Sequence, residues 1–197
     1  MRTFVIGLLI AVACLEFAPA YAVDNTINIE QIGDNNTIDI SQNGAGHTAI
    51  VEIGKLASSN ANTVSIEQRD TSTKLATVEI KSGINNSVNV LQQGIGNHTS
   101  SILNLVGNTN AISVDQSGAG NHTLSITGST GTTNSGNNIM ATQSGGNGAD
   151  KTFDLTLGGT SGATVTIQQT NPTQTNSGSM TIQCATGSCG GYSYIRN

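Results

Sequence analysis

Tryptophan is absent from this chain of 197 residues, aromatic residues make up 3% of it and charged residues 10%. The bulky side chains that fill most globular cores are therefore missing. So are the dense charge and proline that keep disordered chains open, since only two prolines occur. Lys and Arg together number 7 against 12 Asp and Glu, a net charge of −5, which excludes the basic footprint that nucleic acid binding requires. The apolar run at residues 4–15 is too short for a membrane span and no other run approaches one, so no transmembrane segment is expected. Catalytic constellations are missing as well. There is no Ser/His/acid arrangement, no pair of carboxylates that can be placed together and no phosphate loop beside a helix. Neither an enzyme nor a cofactor is expected.

What is present begins with a leader. Arg2, the apolar run and the small-x-small sequence Ala20-Tyr21-Ala22 have the form of a signal peptide over residues 1–22. An exported chain follows. Of the three cysteines, Cys14 falls in the leader, and Cys184 and Cys189 are expected to pair as a disulfide.

Gly, Asn, Thr and Ser dominate the remainder, with Val and Ile supplied at regular intervals. A short motif, aliphatic-x-aliphatic-x-Gln, recurs at Ile38-x-Ile40-x-Gln42, Val64-x-Ile66-x-Gln68, Val88-x-Val90-x-Gln92, Ile112-x-Val114-x-Gln116, Ile139-x-Ala141-x-Gln143 and Val165-x-Ile167-x-Gln169. Its glutamines are spaced by 26, 24, 24, 27 and 26 residues, a period that marks stacked architectures. Alternation of period two reads as a strand, and Gly44, Gly94, Gly118 and Gly145 two residues beyond the Gln read as turns. A second, weaker strand follows in each unit, at 48–54, 75–80, 101–107, 123–128 and 152–158. The fold class is thus all-β: a β-solenoid of about six strand-turn-strand rungs of 24–27 residues, stacked as cross-β. Its organisation is a repeat-like strand at 23–36, rungs at about 37–62, 63–86, 87–110, 111–137, 138–163 and 164–183, and a C-terminal cap or tail at 184–197.

The glutamines share the parity of the aliphatic residues, so they face the same way. A buried amide is costly unless paired. In a stack with this period each Gln lies above another and donates to the next carbonyl, and a one-residue slip would bury Asp39 or Glu67 instead. The competing reading, glutamines capping turns at the surface, does not account for the shared parity.

Extended by its turn, the motif becomes aliphatic-x-aliphatic-x-Gln-x-Gly-x-x-Asn. Residues 87–97 (SVNVLQQGIGN) and 111–121 (AISVDQSGAGN) carry it most plainly, and 25–36 (NTINIEQIGDNN) carries it with Gln31, Gly33 and Asn36. This pattern resembles the curlin repeat of bacterial extracellular amyloid fibres, the curli. The resemblance implies a secreted subunit that polymerises with itself on the cell surface, serving biofilm matrix and adhesion. It implies as partners a nucleator subunit and an outer-membrane secretion pore. It also implies that Gln31, Gln42, Gln68, Gln92, Gln116, Gln143 and Gln169, with Asn36, Asn97 and Asn121, form polar ladders for assembly. The chain departs from the family where the second strand ends, since Gly54, Gly107, Gly128 and Gly158 stand where a second Gln is usual.

Other residues have plainer readings. His47, His98 and His122 occupy nearly the same turn position, but no carboxylate or thiol joins them, so they read as polar turn residues and no metal site is expected. Residues 145–150 (GGNGAD) match part of a calcium-binding nonapeptide, yet a single copy reads as a Gly-rich turn. Cys184 falls two residues after Ile182, at the expected Gln position of the last strand, where a bond to Cys189 either caps the stack or stabilises a tail. Lys55, Arg69, Asp70, Lys74 and Lys81 crowd the early units and read as gatekeepers against premature aggregation, leaving 87–128 as the most assembly-competent stretch. The alternative function is a monomeric extracellular β-helix that binds or processes polysaccharide, which needs an acidic or aromatic cleft that the composition does not supply. A calcium-binding β-roll is a weaker third reading, since it needs more aspartates in the turns.

Overall fold

A computed structural model describes residues 24–184 and 188–197. The expected signal peptide, residues 1–22, lies outside the described residues. Within them there is no helix, and the chain forms fourteen strands. The odd-numbered ones are β1 (Thr26–Gln31), β3 (Thr48–Ile53), β5 (Lys74–Ser82), β7 (His98–Val106), β9 (His122–Gly128), β11 (Lys151–Leu157) and β13 (Asn176–Ile182). The even-numbered ones are β2 (Thr37–Gly44), β4 (Thr63–Asp70), β6 (Ser87–Gln93), β8 (Ala111–Gly118), β10 (Asn138–Gly145), β12 (Thr164–Gln169) and β14 (Gly191–Arg196).

Each set makes one seven-stranded sheet, odd strands in one and even strands in the other, in sequence order. Every pairing between neighbours is parallel. The chain therefore alternates between two facing sheets and climbs one level with each pair of strands. Seven levels are joined by six steps, which is the all-β solenoid of about six turns that the repeat implies.

Alternation of side chains explains why the sheets face each other. In β4, β6, β8, β10 and β12 the residues of the motif are buried at every second position while their neighbours stay partly or fully exposed. The pairs Val64↔Val88, Val88↔Ile112, Ile112↔Ile139 and Ile139↔Val165 put one aliphatic column down the even sheet. Val51, Val78, Ile102, Ile126 and Leu155 make the facing column. Burying such a side chain contributes roughly 1.5–3 kcal/mol, so a single level cannot offset the ordering of its own backbone and the levels stand only together.

Turns that stack must repeat their shape. Gly94 and Gly118 both have positive φ, 95° and 105°, and a Cβ on Gly94 would collide with the Gly118 carbonyl below it. The register slips twice between β5 and β7, and the second slip, where Ile80↔Leu105 is followed by Ser82↔Val106, cancels the first. Between Val78↔Ile102 and Ile80↔Leu105, β7 carries an extra residue, and Asn104 takes a φ of 56° with its N–H donating to Glu79 Oε2 at 3.0 Å.

Two placements differ from the sequence reading. Met180 and Ile182 belong to the odd sheet, opposite Leu155 and Leu157, so Cys184 does not stand at a Gln position. The strand that follows Gln169 in its own sheet is β14, where Gln169 pairs with Arg196. Parity alone cannot separate these cases, because Met180-x-Ile182-x-Cys184 has the same alternation as a Gln strand. The strict switching of sheets after every turn decides it. For the same reason Gln31 lies in the odd sheet, opposite Ile53.

Burial through stacking predicts a gradient along the axis. Ile126→Ala, at a side chain 1% exposed, should lower stability by about 2–5 kcal/mol. Ile29→Ala, at an end-level residue 49% exposed, should cost less than half as much. Denaturant unfolding followed by circular dichroism compares the two.

Candidate functional site: polar columns and two ends

Six of the seven glutamines singled out in the sequence form one continuous column. Gln42 Nε2 donates to Gln68 Oε1 at 2.8 Å, Gln68 to Gln92 at 2.9 Å, Gln92 to Gln116 at 2.8 Å, Gln116 to Gln143 at 2.8 Å and Gln143 to Gln169 at 2.8 Å. The second proton of each amide goes to a carbonyl of the odd strand that begins the same level. Gln68 reaches Thr48 O at 3.0 Å, Gln92 reaches Leu75 O at 3.0 Å and Gln116 reaches Thr99 O at 2.9 Å. With both protons committed, the amide cannot be turned around without losing bonds, so every member donates toward the C-terminal end. The column thus satisfies five fully buried side chains and ties one sheet to the other. Gln31 takes no part: it is exposed and donates to Gly33 O at 3.2 Å.

A second column, of asparagines, runs beside it. Asn62 Nδ2 donates to Asn36 Oδ1 at 3.0 Å, Asn86 to Asn62 at 2.9 Å, Asn110 to Asn86 at 2.8 Å and Asn137 to Asn110 at 2.8 Å. Each backbone N–H in the series donates to the same oxygen as its side chain. These amides point toward the N-terminal end, opposite to the glutamines, so the two rows of dipoles oppose one another. Of the three asparagines named from the sequence only Asn36 belongs here. Asn97 and Asn121 lie at an exposed corner, where Asn97 N donates to Asn121 Oδ1 at 2.9 Å and Asn121 N to Asp150 Oδ1 at 2.7 Å. Sequence reasoning missed Asn62, Asn86, Asn110 and Asn137. The available signal was a fixed offset, since each stands six residues before its Gln.

The third column is basic. The register aligns Lys74 with His98, His98 with His122 and His122 with Lys151, and places His47 level with Lys74. All five are buried, at 0–1% exposure. They fill the space beneath turns whose carbonyls point inward. Lys74 Nζ donates to Gly94 O and Gly96 O, both at 2.7 Å, and Lys151 Nζ to Asn171 O at 2.7 Å and to Gln174 O. His98 and His122 stack with ring centroids 4.8 Å apart, and their Nε2 atoms reach Gln93 O at 2.8 Å and Ser117 O at 2.9 Å. A carbonyl can only accept, so Nε2 carries the proton in each ring. Lys74 is therefore no surface gatekeeper. Burial lowers both lysines from their ordinary value, and it pushes His98 down to about 4 and His122 down as well. Residues 145–150 form the turn into β11, with the Asp150 carboxylate committed to the Asn121 N–H.

The family model described as curlin associated repeat matches residues 23–54 and 33–69. Residues 23–69 thus carry curlin repeats. No curated protein and no solved structure matches it. The Gln column that begins in the matched repeats at Gln42 and Gln68 continues without a break to Gln169.

The repeats end differently at the two poles of the stack. At the N-terminal pole the inward residues Ile27 and Ile29 are 50% and 49% exposed, and Gln42 uses both its protons while no described residue donates to its Oε1. At the C-terminal pole Tyr192 and Tyr194 take the places that Val165 and Ile167 hold one level earlier. Gly178 leaves room for Tyr194, whose ring lies 4.7 Å from that of Phe153 and whose hydroxyl donates to Ser177 O at 2.9 Å. Cys184 and Cys189 are bonded, with Cα atoms 5.8 Å apart, across the link between β13 and β14.

Two outcomes follow from the columns. Gln116→Leu strands one donor of Gln92 and one acceptor of Gln143 in a dry interior, and should cost about 2–4 kcal/mol in denaturant unfolding, more than Gln42→Leu at the end level. Acidification should also weaken the fold. The folded His98 value of about 4 lies below the ordinary 6.5, so the unfolded chain takes up the proton first. Stability should fall as pH drops from 6.5 towards 4 and level off below, with Lys74 and Lys151 on either side adding like charge and Asp150 partly opposing it at His122. Denaturation midpoints measured across that window should flatten in a His98→Asn/His122→Asn variant.

Proposed function

We propose that the chain is a structural subunit, exported and polymerised with itself into extracellular curli-like amyloid fibres that serve biofilm matrix and surface adhesion. One observation carries this reading. The Gln column that starts within the matched curlin repeats runs through the stack between two sheets whose first and last strands pair with no described residue on their outer edge. An unpaired strand edge templates a further strand by backbone pairing, and here both sheets present such edges at each pole. The family likeness supports the export route and the partners as well: an outer-membrane pore through which the chain passes and a nucleator from which fibres start.

The polysaccharide-binding β-helix finds less support. The described residues form no pocket, and the outward faces carry short polar side chains such as Ser65, Asn89, Ser113 and Ser125 rather than an aromatic or acidic cleft.

Purified protein without residues 1–22 should convert after a lag into fibres, and added fragments of those fibres should abolish the lag. Oriented fibres should diffract at about 4.7 Å along the axis and about 10 Å across it. A chain that remains monomeric for days at high concentration would sink the proposal.

A further inference from the structure

The Gln column has a direction, and its two ends are chemically different. Each member donates toward the C-terminal pole and accepts from the N-terminal side. The first member, Gln42, therefore presents an accepting Oε1 to whatever precedes it. Its own protons are held by Gln68 Oε1 and Thr26 O, so it cannot turn around to donate. At the other pole the column's next position, opposite Gln169, is Arg196, a residue that can only donate. Gln169 does not need it: its Nε2 is taken by Thr152 O at 3.2 Å and Asn176 O at 3.4 Å. Among the described residues the guanidinium meets only the Tyr194 ring, 5.9 Å from its centroid, and the residue is exposed.

We propose that Arg196 is the joint of the fibre: its guanidinium donates to Gln42 Oε1 of a second copy of this chain and carries the Gln column from one molecule into the next. The inference rests on the reading of the chain as a self-polymerising subunit and adds what fixes the polarity of its contact. The Asn column does not make this connection. The Asn column stops at Asn137, with Ala163 and then Gly190 in the following levels, so no amide reaches the C-terminal pole on that side. β14 keeps six residues in register with β12, which leaves its outer edge set to receive β2 of the next copy. Joining two C-terminal poles would oppose Arg196 to Arg196, and joining two N-terminal poles would oppose two accepting oxygens. The donor–acceptor arrangement thus selects head-to-tail addition and supplies a charge-assisted bond at the one interface that the covalent chain does not hold.

Full-length processed protein with its disulfide intact tests this through Arg196→Gln and Arg196→Glu. Circular dichroism of the monomers should be unchanged for both, since the side chain is exposed and outside the core. In seeded elongation Arg196→Gln, which restores an amide, should stay within about twofold of the unsubstituted chain, while Arg196→Glu should slow about tenfold or more. Glutamate offers only acceptors to Gln42, so Arg196→Glu monomers should add through their N-terminal pole and then stop. At low molar ratio they should arrest growth at one end of each fibre, seen by two-colour imaging of labelled seeds. If Arg196→Glu elongates as fast as the unsubstituted chain, or Arg196→Gln slows as much as Arg196→Glu, the joint is wrong although the fibre reading stands. If the unsubstituted chain forms no fibres, both fall together.

Discussion

A primary amide buried between two sheets has two protons and one oxygen to satisfy, and everything in this fold is arranged to meet that demand. Parallel strands repeat at about 4.8 Å, a distance that a glutamine on each level spans with bonds of 2.8–2.9 Å. The second proton reaches a carbonyl of the facing sheet, so the same residue that fixes register along the axis holds the sheets together across it. A one-residue slip would bury Asp39 and Glu67, and a two-residue slip would keep the parity but break the column. Register is therefore specified twice, once by burial and once by hydrogen bonding.

The rest of the interior is thin by comparison. Phe153 is the one fully buried aromatic side chain among the described residues, and the remaining core is Val, Ile, Leu and Ala laid one above another. Such a core stabilises each level only through its neighbours, which makes stability a sum of interfaces rather than a property of a unit. The turns would leave inward carbonyls unsatisfied, and His98, His122, Lys74 and Lys151 answer them from one position of the odd strands. Two different side chains serve the same purpose because a carbonyl cage needs a donor, whether it comes from an imidazole or an ammonium. Burial holds the imidazoles neutral, so charge is confined to the two lysine levels, where it is shared among carbonyl dipoles.

How much of this could be read from residues alone depends on whether a signal repeats with the period. The Gln column was legible because its parity and spacing recur six times. The Asn column recurs almost as regularly, six residues before each Gln from Gln42 to Gln143, but those asparagines sit in linkers where Gly- and Asn-rich sequence looks like ordinary turn chemistry. Lys74 looks like a surface charge in the sequence for a physical reason. Flanked by Asp70 and Lys81 it belongs to a charged stretch, and only the level above and below reveals that His47 and His98 share its column. Placing Gln31 and Cys184 required knowing to which sheet a strand belongs, which parity does not carry and the count of turns does.

The treatment of the last level shows what kind of end this stack has. A solenoid that stops for good usually covers its final rung with a polar outer face or breaks strand pairing there. Here the last level is completed sideways: Tyr194 fills the gap left by Gly178 and bonds across to Ser177, and the disulfide holds the link between the two terminal strands. Along the axis no described residue pairs with the outer edge of β14, which stays in register with β12 and places Tyr192, Tyr194 and Arg196 at its inward positions. The opposite pole exposes Ile27 and Ile29 in the same inward columns. An end that is rigid laterally and open axially loses little further conformational entropy when another level arrives, because its strands are already ordered. Preorganisation of the terminal level, more than any added apolar area, is what suits it to receive the next strand pair.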